Sequence, residues 1–396
     1  KQVAKSVILM NDPGRRSYYN EVMQIDPGIL LKGDTPRLID EWQLYPDLWD
    51  AVRFTVDERS EFSQFILTGS VTPVSRKKDR SRYHHSGAGR FSWLTMRPMT
   101  LFESGDSNGK VSLEALFAGE TEISGENPCA DIHNLAWLIC RGGWPMACRK
   151  DISKKIALMQ APEYVDAIGR SDMDTEEAEK TILNKRLLQM FLRSFSRNIG
   201  SQIPIKDIAK DCVIDNISTM SDETAYNYYS ILSSWFVIED MSAWNPNLRS
   251  KIAIRTSPTH YFVDPSIATA SLGLGPDDLI GDLQSYGFWF ENLCVRDLRV
   301  YSQAINGEIY HYRDKSNLEC DAVIHLKNGS YALAEIKLGA HSAVDQGAET
   351  LKKLATKIDT DKMKKPSFLM VITGTAPFAY RRNDGVFVVP ITCLKP

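Results

Sequence analysis

The sequence predicts an α/β protein in three parts: a parallel-sheet domain over residues 1–118, a helical and winged-helix region over 119–264, and an α/β C-terminal domain over 265–396. Three observations predict it. In the first part, short apolar runs alternate with helical patterns, as layered α/β domains require. In the second, a helix–turn–helix pattern leads into two apolar strands. In the third, NLECDAVIHLKNGSYALAEIKLG (317–339) reads as a β-hairpin flanked by helical patterns. At 396 residues the chain also exceeds what one hydrophobic core usually organises.

Taken in order, Ser6–Met10, Gly28–Leu31, Arg37–Ile39 and Gln64–Thr68 read as strands. The chain starts at Lys1, and KQVAKSV reads as a helix running into the first strand, so further chain is expected upstream. A basic stretch, SRKKDRSRYHH (75–85), and GAGR (87–90) lead to a further strand, Phe91–Arg97. Residues 110–200 look mainly helical, interrupted at RGGWP (141–145), where Gly-Gly and Pro mark a tight turn. Asp207–Lys210 lie in the first helix of the next pair, and a Ser-Asp start signal precedes the second, Thr224–Ser234. Two strands follow, WFVIEDM (235–241) and HYFVD (260–264). The remainder reads as helix, hairpin, helix, strand, strand.

Composition excludes several classes. The chain is 43% hydrophobic and 24% charged, ordinary for a globular protein. No apolar run approaches the roughly 20 residues of a membrane helix, and no signal peptide is visible. The seven cysteines are scattered without a Cys-x-x-Cys pair, which argues against zinc and a disulfide framework and for a reducing cytoplasm. A net charge of −3 gives no global field to attract nucleic acid, so any DNA contact has to be local.

RLIDE (37–41) ends a strand with adjacent acids. In P-loop ATPases an acid there holds the water shell of Mg²⁺ and the next orients the attacking water; those are Asp40 and Glu41. QFILTGS (64–70) then ends in the polar residues that sense a γ-phosphate in such folds. A plainer alternative is that Asp-Glu opens a helix, where acids suit the macrodipole. The ordered set PRLIDEWQLYPDLWDAVRFTVD, FILTGS, GAGR, MRPMTLFESG and RGGWP resembles a family of prokaryotic AAA-type ATP-binding proteins with an uncharacterised C-terminal domain, over nearly the whole chain. The resemblance implies ATP and Mg²⁺ as cofactors. It implies Asp40 and Glu41 as the Walker B acids, Ser70 or Thr68 as the sensor, and Arg90 as an arginine that contacts phosphate. A homo-oligomer fits as well, since such sites often borrow a neighbour's arginine. The phosphate-cradling loop G-x-x-x-x-G-K-[ST] is absent from the sequence, and with it the strand that precedes it.

The hairpin carries a second signal. Strand residues alternate faces, so register decides what meets. A three-residue loop, Lys327-Asn328-Gly329 with Gly in the left-handed position, pairs Asp321 with Glu335, Val323 with Leu333 and Glu319 with Lys337. One face, Cys320, Ala322 and Ile324 against Ala334, Ile336 and Leu338, is then apolar throughout; the other is acidic at its far end. An acid pair beside a lysine suits Mg²⁺-dependent phosphodiester cleavage, with Asp321 and Glu335 as metal ligands and Lys337 stabilising charge. Asp321 followed by Glu335-Ile336-Lys337 is similar to the restriction-endonuclease-like signature, which also wants an acid on a preceding helix. Glu291 qualifies, on an apolar stripe with Phe288, Val295 and Leu298. A cross-strand salt bridge with a snorkelling glutamate is the structural alternative.

Other features weigh less. The second helix of the winged-helix region opens SDETAYNYYS, acidic and offering only Asn227 to a base. The 75–85 loop reads as solvated, the histidines as packing or surface residues, and Trp93, Trp137, Trp144, Trp235 and Trp289 as core. The functional expectation is an ATP-binding protein whose nucleotide state controls what a nuclease-like C-terminal domain engages, DNA or a protein partner. The alternative is a non-catalytic binding or regulatory protein with both sites degenerate.

Overall fold

The computed structural model describes residues 3–70, 89–170, 185–213, 219–245, 257–360 and 363–396. The chain is mixed α/β and divides after Met96 into two compact units.

In the first unit, β1 (Ser6–Leu9), α1 (Arg16–Ile25), β2 (Arg37–Asp40), α2 (Asp47–Arg59) and β3 (Phe65–Thr68) form a parallel sheet of order β1-β2-β3. Parallel neighbours need a crossover, and α1 and α2 supply it. They bury Tyr19, Val22, Leu48, Trp49 and Val52 against Ile8 and Ile39. The register sets Leu38 between Val7 and Ile66 and brings Asp40 beside Thr68 at the C-terminal strand ends. Gly28–Leu31 is not a strand: Asp26 caps a 3-10 turn over Pro27–Leu31, in which Pro27 fixes the backbone and cannot donate to a ladder. Phe91–Arg97 is not a strand either. Its aromatics stack on the helix instead, Phe91 on Trp49 with ring centroids 3.8 Å apart, and Trp93 is 64% exposed rather than core.

In the second unit, β4 (Val111–Ser112), α3 (Leu113–Phe117), β5 (Gly125–Glu126), α4 (Ile132–Arg141), α5 (Lys154–Arg170) and α6 (Lys185–Arg197) come first. Next are α7 (Ile205–Asp211) and α8 (Asp222–Ser234), the latter capped by Ser221 as its start signal predicts. The two expected strands after α8 reduce to single antiparallel bridges, Ile238 with Phe262 and Met241 with Thr259. Three helices follow where one was expected: α9 (Pro265–Leu272), α10 (Pro276–Gly281) and the 22-residue α11 (Leu283–Ala304). Gly273, in the left-handed region at φ +75°, stops α9.

The C-terminal elements are β6 (Gly307–Arg313), β7 (Glu319–Leu326), β8 (Tyr331–Lys337), α12 (Ser342–Lys357), β9 (Leu369–Thr373), β10 (Phe378–Arg381), β11 (Phe387–Pro390) and β12 (Leu394–Lys395). Among the described residues, seven strands form one sheet of order β5-β10-β11-β9-β8-β7-β6. β8 pairs antiparallel with β7 and parallel with β9. α11 covers one face, packing Leu293, Val295 and Leu298 with Ala322, Ile324, Ala334 and Ile336. α12 covers the other, packing Val344, Ala348 and Leu351 with Val323, Leu333 and Val371. The sheet is therefore buried on both sides, which explains the near-continuous apolar character of β8. Among the described residues no helix is long and apolar enough to cross a membrane.

The motifs MRPMTLFESG and RGGWP meet in this unit around a buried ionic network. Arg296 donates to Asp264 Oδ2 at 2.9 Å and to Asp297 Oδ1 at 2.8 Å, with all three side chains sealed from solvent. Asp264 also accepts from the Gly143 backbone N–H, and Asp297 from that of Leu101. A β-carbon at Gly143 would lie 2.1 Å from the Met99 carbonyl oxygen, so only glycine admits this approach.

Candidate functional site

The hairpin folds in the register its loop dictates: Ala322 opposite Ala334, Val323 opposite Leu333, with Gly329 at φ +81°. What the periodicity does not show is a bulge against β6. Tyr310 pairs with Val323 but Tyr312 with Cys320, so the single residue His311 faces both Asp321 and Ala322. A bulge breaks alternation and re-aims side chains. Cys320 accordingly joins the core on the α12 side instead of the face it was expected to share with Ala322. The Asp321 carboxylate accepts the ladder N–H of Ile336 at 2.7 Å.

Lys337 Nζ joins the two hairpin acids, 2.6 Å from Glu335 Oε2 and 3.2 Å from Asp321 Oδ2. Glu335 is 4% exposed, and its other oxygen, Oε1, has no hydrogen-bond partner among the described residues. A β-carbon at Gly347 would sit 3.3 Å from the Glu335 β-carbon, which places Glu335 on the α12 side. Glu291 comes from α11, across the sheet, and accepts a 2.5 Å hydrogen bond from the buried Tyr261 hydroxyl. Of its expected stripe, Val295 and Leu298 are buried while Phe288 is 41% exposed.

The electrostatics follow from burial. Glu291 and Glu335 are each pushed up to about 8, first by burial and then by the charge of Asp321. Burial works against the Lys337 ammonium, but Asp321 and Glu335 outweigh it and raise its affinity for a proton. Asp321 and Glu335 thus share one ammonium. Among the described residues, no group of three or more His, Cys, Asp or Glu side chains is placed to hold a metal ion.

In the first unit, Asp40 accepts a 2.5 Å hydrogen bond from the Thr68 hydroxyl across the β2–β3 pair. Glu41 follows at φ +56°, a strained left-handed position for a residue with a side chain, and accepts from Gln43 Nε2. Ser70 is exposed two residues past β3. Arg90 pairs with Asp57 at the end of α2, 2.6 Å away, in an exposed contact. The structure thus sets Asp40 beside Thr68 and pairs Arg90 with Asp57. The basic stretch 75–85 lies outside the described residues.

Two residues near the hairpin acids escaped the sequence reading. Tyr261 sits in an apolar run with no chemical motif. Thr373, fully buried beside Lys337 in the β8–β9 register, has a hydroxyl without a partner among the described residues. Only the strand pairing singles it out.

Two family models match the chain, both described as domains of unknown function: DUF8612 over residues 132–278 and DUF4143 over residues 286–394. The second is commonly found in AAA-ATPase-associated proteins. No AAA-type or nuclease-like family model matches, and no curated protein matches the chain.

Proposed function

We propose that this chain belongs to an ATP-binding protein of the AAA type whose C-terminal part carries a restriction-endonuclease-like site for a divalent cation and a phosphodiester. On this reading, nucleotide state controls engagement of nucleic acid at that site. The observation that carries it is Glu335 Oε1, a buried carboxylate oxygen without a partner among the described residues, beside the Lys337 ammonium that also contacts Asp321. A buried acceptor left unpaired is costly unless a proton or cation meets it.

Mg²⁺ fits this donor set, because it needs only one or two carboxylates and keeps several waters. Asp321 and Glu335 would hold it, and it would supply Lewis-acid stabilisation of phosphate oxygen charge. Lys337 positions both carboxylates and keeps its own charge at the site. In the first unit, Asp40 with the Thr68 hydroxyl is a donor pair suited to the Mg²⁺ of a nucleotide, with Glu41, Ser70 and Arg90 in the roles the resemblance implies. The sequence offers no phosphate-cradling loop, so the residues present fit the metal side of that site and not the triphosphate.

Calorimetric titration with Mn²⁺ at pH 8 tests the C-terminal site. One ion per chain is expected, lost in Glu335→Gln. Absence of binding, or unchanged binding in the variant, sinks the proposal. For the nucleotide half, Mg-ATP turnover in a chain extended to include a phosphate-cradling loop should collapse in Glu41→Gln. A second reading, a binding module without catalysis, is favoured by Lys337 already bridging both acids; it predicts no divalent-ion uptake until Lys337→Met removes the internal cation.

A further inference from the structure

Helix α6 reads KRLLQMFLRSFSR, with four cations and no acid, in a chain whose net charge is −3. Its residues Leu188, Phe191, Leu192 and Phe195 are buried in the core of the second unit, and Leu187 and Met190 pack against that core. The helical period then fixes where the cations go. Arg186, Arg193 and Arg197 stand at i, i+7 and i+11, and all three are exposed. They form one stripe about 17 Å long at the helical rise. Two acids border it. Asp166 lies 3.7 Å from Lys185 Nζ at one end, and at the other Asp211 accepts from Arg197 and from the Ser194 hydroxyl. Arg193, between them, makes no ion pair among the described residues.

We infer that the outward face of α6 is a docking surface for the phosphate backbone of duplex DNA, gripped without regard to base sequence. It rests on the nucleic-acid half of the reading above and not on the cation site of the hairpin. Charge complementarity carries it: exposed guanidinium groups in a row match phosphate oxygens, each with a planar fork of donors. The neighbouring α8, which a winged-helix geometry would offer to the bases, opens instead with the exposed acids Asp222 and Glu223 and repels phosphate. The contact is therefore one that positions the duplex without reading it. An anionic bilayer fits this face less well. A helix that lies in the membrane interface inserts its apolar side, and the apolar side of α6 is already spent on the core. Asp211 acts as a brake, because it neutralises the Arg197 end of the stripe.

The test is fluorescence anisotropy of the full chain with two labelled duplexes of unrelated sequence, in EDTA and over a range of salt. The logarithm of affinity should fall with the logarithm of salt at a slope of about −3, equally for both duplexes. Arg186→Gln combined with Arg193→Gln should cut that slope by about 2 and weaken binding about tenfold at low salt. Arg193→Lys should keep the wild-type slope. Asp211→Asn keeps an acceptor for Ser194 while releasing Arg197, and should strengthen binding about threefold, a gain that a purely structural role for the stripe would not give. This variant also keeps the question answerable should the double variant fail to fold. Duplex binding that neither the double variant nor Asp211→Asn alters overturns the inference and leaves the nucleic-acid reading standing. A wild-type chain that binds no duplex at low salt sinks both. A strong preference for one of the two duplexes overturns the backbone-only grip. Vesicles containing phosphatidylserine form the last arm; binding to them that the double variant loses, with duplex affinity unchanged, gives the face to a lipid surface and overturns the inference.

Discussion

Arg296→Met is the sharpest test of how the second unit is held together. In the native chain the guanidinium lies between Asp264 and Asp297 at 2.7–2.9 Å, with none of the three side chains exposed. Removing it strands two buried carboxylates, each still accepting a backbone N–H, from Gly143 and Leu101. Breaking one partner out of such a network costs about 3–5 kcal/mol, a large part of a domain's roughly 5–15 kcal/mol. With a urea slope of ~3 kcal/mol/M, the midpoint should fall by about 1–1.7 M. Burial already raises Asp297, and losing the cation raises it further, so the deficit should narrow as the pH is lowered and Asp297 takes up a proton. Adding Asp264→Asn and Asp297→Asn keeps acceptors for both N–H groups while removing the charge, and should restore about 2 kcal/mol or more. A loss below ~1 kcal/mol for the single variant, or a triple variant no more stable than the single, would refute the assignment of the network as a charge-balanced unit.

The hairpin acids predict a pH slope. Glu291 and Glu335 sit at about 8 in the folded chain against an ordinary 4.5, so the folded state holds more protons than the unfolded one between those values, and stability falls as pH rises through that window. His311, lowered to about 4 by burial, acts in the opposite sense below 6.5, so the slope should be read between pH 6.5 and 8. Urea midpoints should decline across that interval and do so less in Glu335→Gln; a rising midpoint contradicts the assignment. Gly329→Ala should cost roughly 1 kcal/mol by differential denaturation, because φ is +81° while nothing lies within 4 Å of the added carbon. A neutral result would mean the loop relaxes to another turn.

Much of the local structure was legible. The loop Lys327-Asn328-Gly329 allows few turns, and only one of them gives β7 and β8 a consistent apolar face, so the register could be read from composition. Helix α8 was legible from Ser221, and the strands Arg37–Asp40 and Phe65–Thr68 from their short apolar runs. Gly28–Leu31 misled because a short apolar run has no periodicity of its own; Pro27 and Asp26 decide it. β6 was missed because its polar and aromatic residues alternate weakly, and its place at the sheet edge leaves Glu308 and Arg313 exposed.

By itself, the sequence determined several of the strands and helices, among them β2, β3 and α8, the hairpin register, and which carboxylates lie close along the chain. These depend on periods of two and 3.6 and on turn chemistry, all written within about twenty residues. Only the tertiary structure decided that a bulge opposite His311 re-aims Asp321, that Lys337 lies between Asp321 and Glu335, and that Tyr261 meets Glu291. Those outcomes depend on packing between elements tens of residues apart, where burial and charge balance, rather than pattern, select the arrangement.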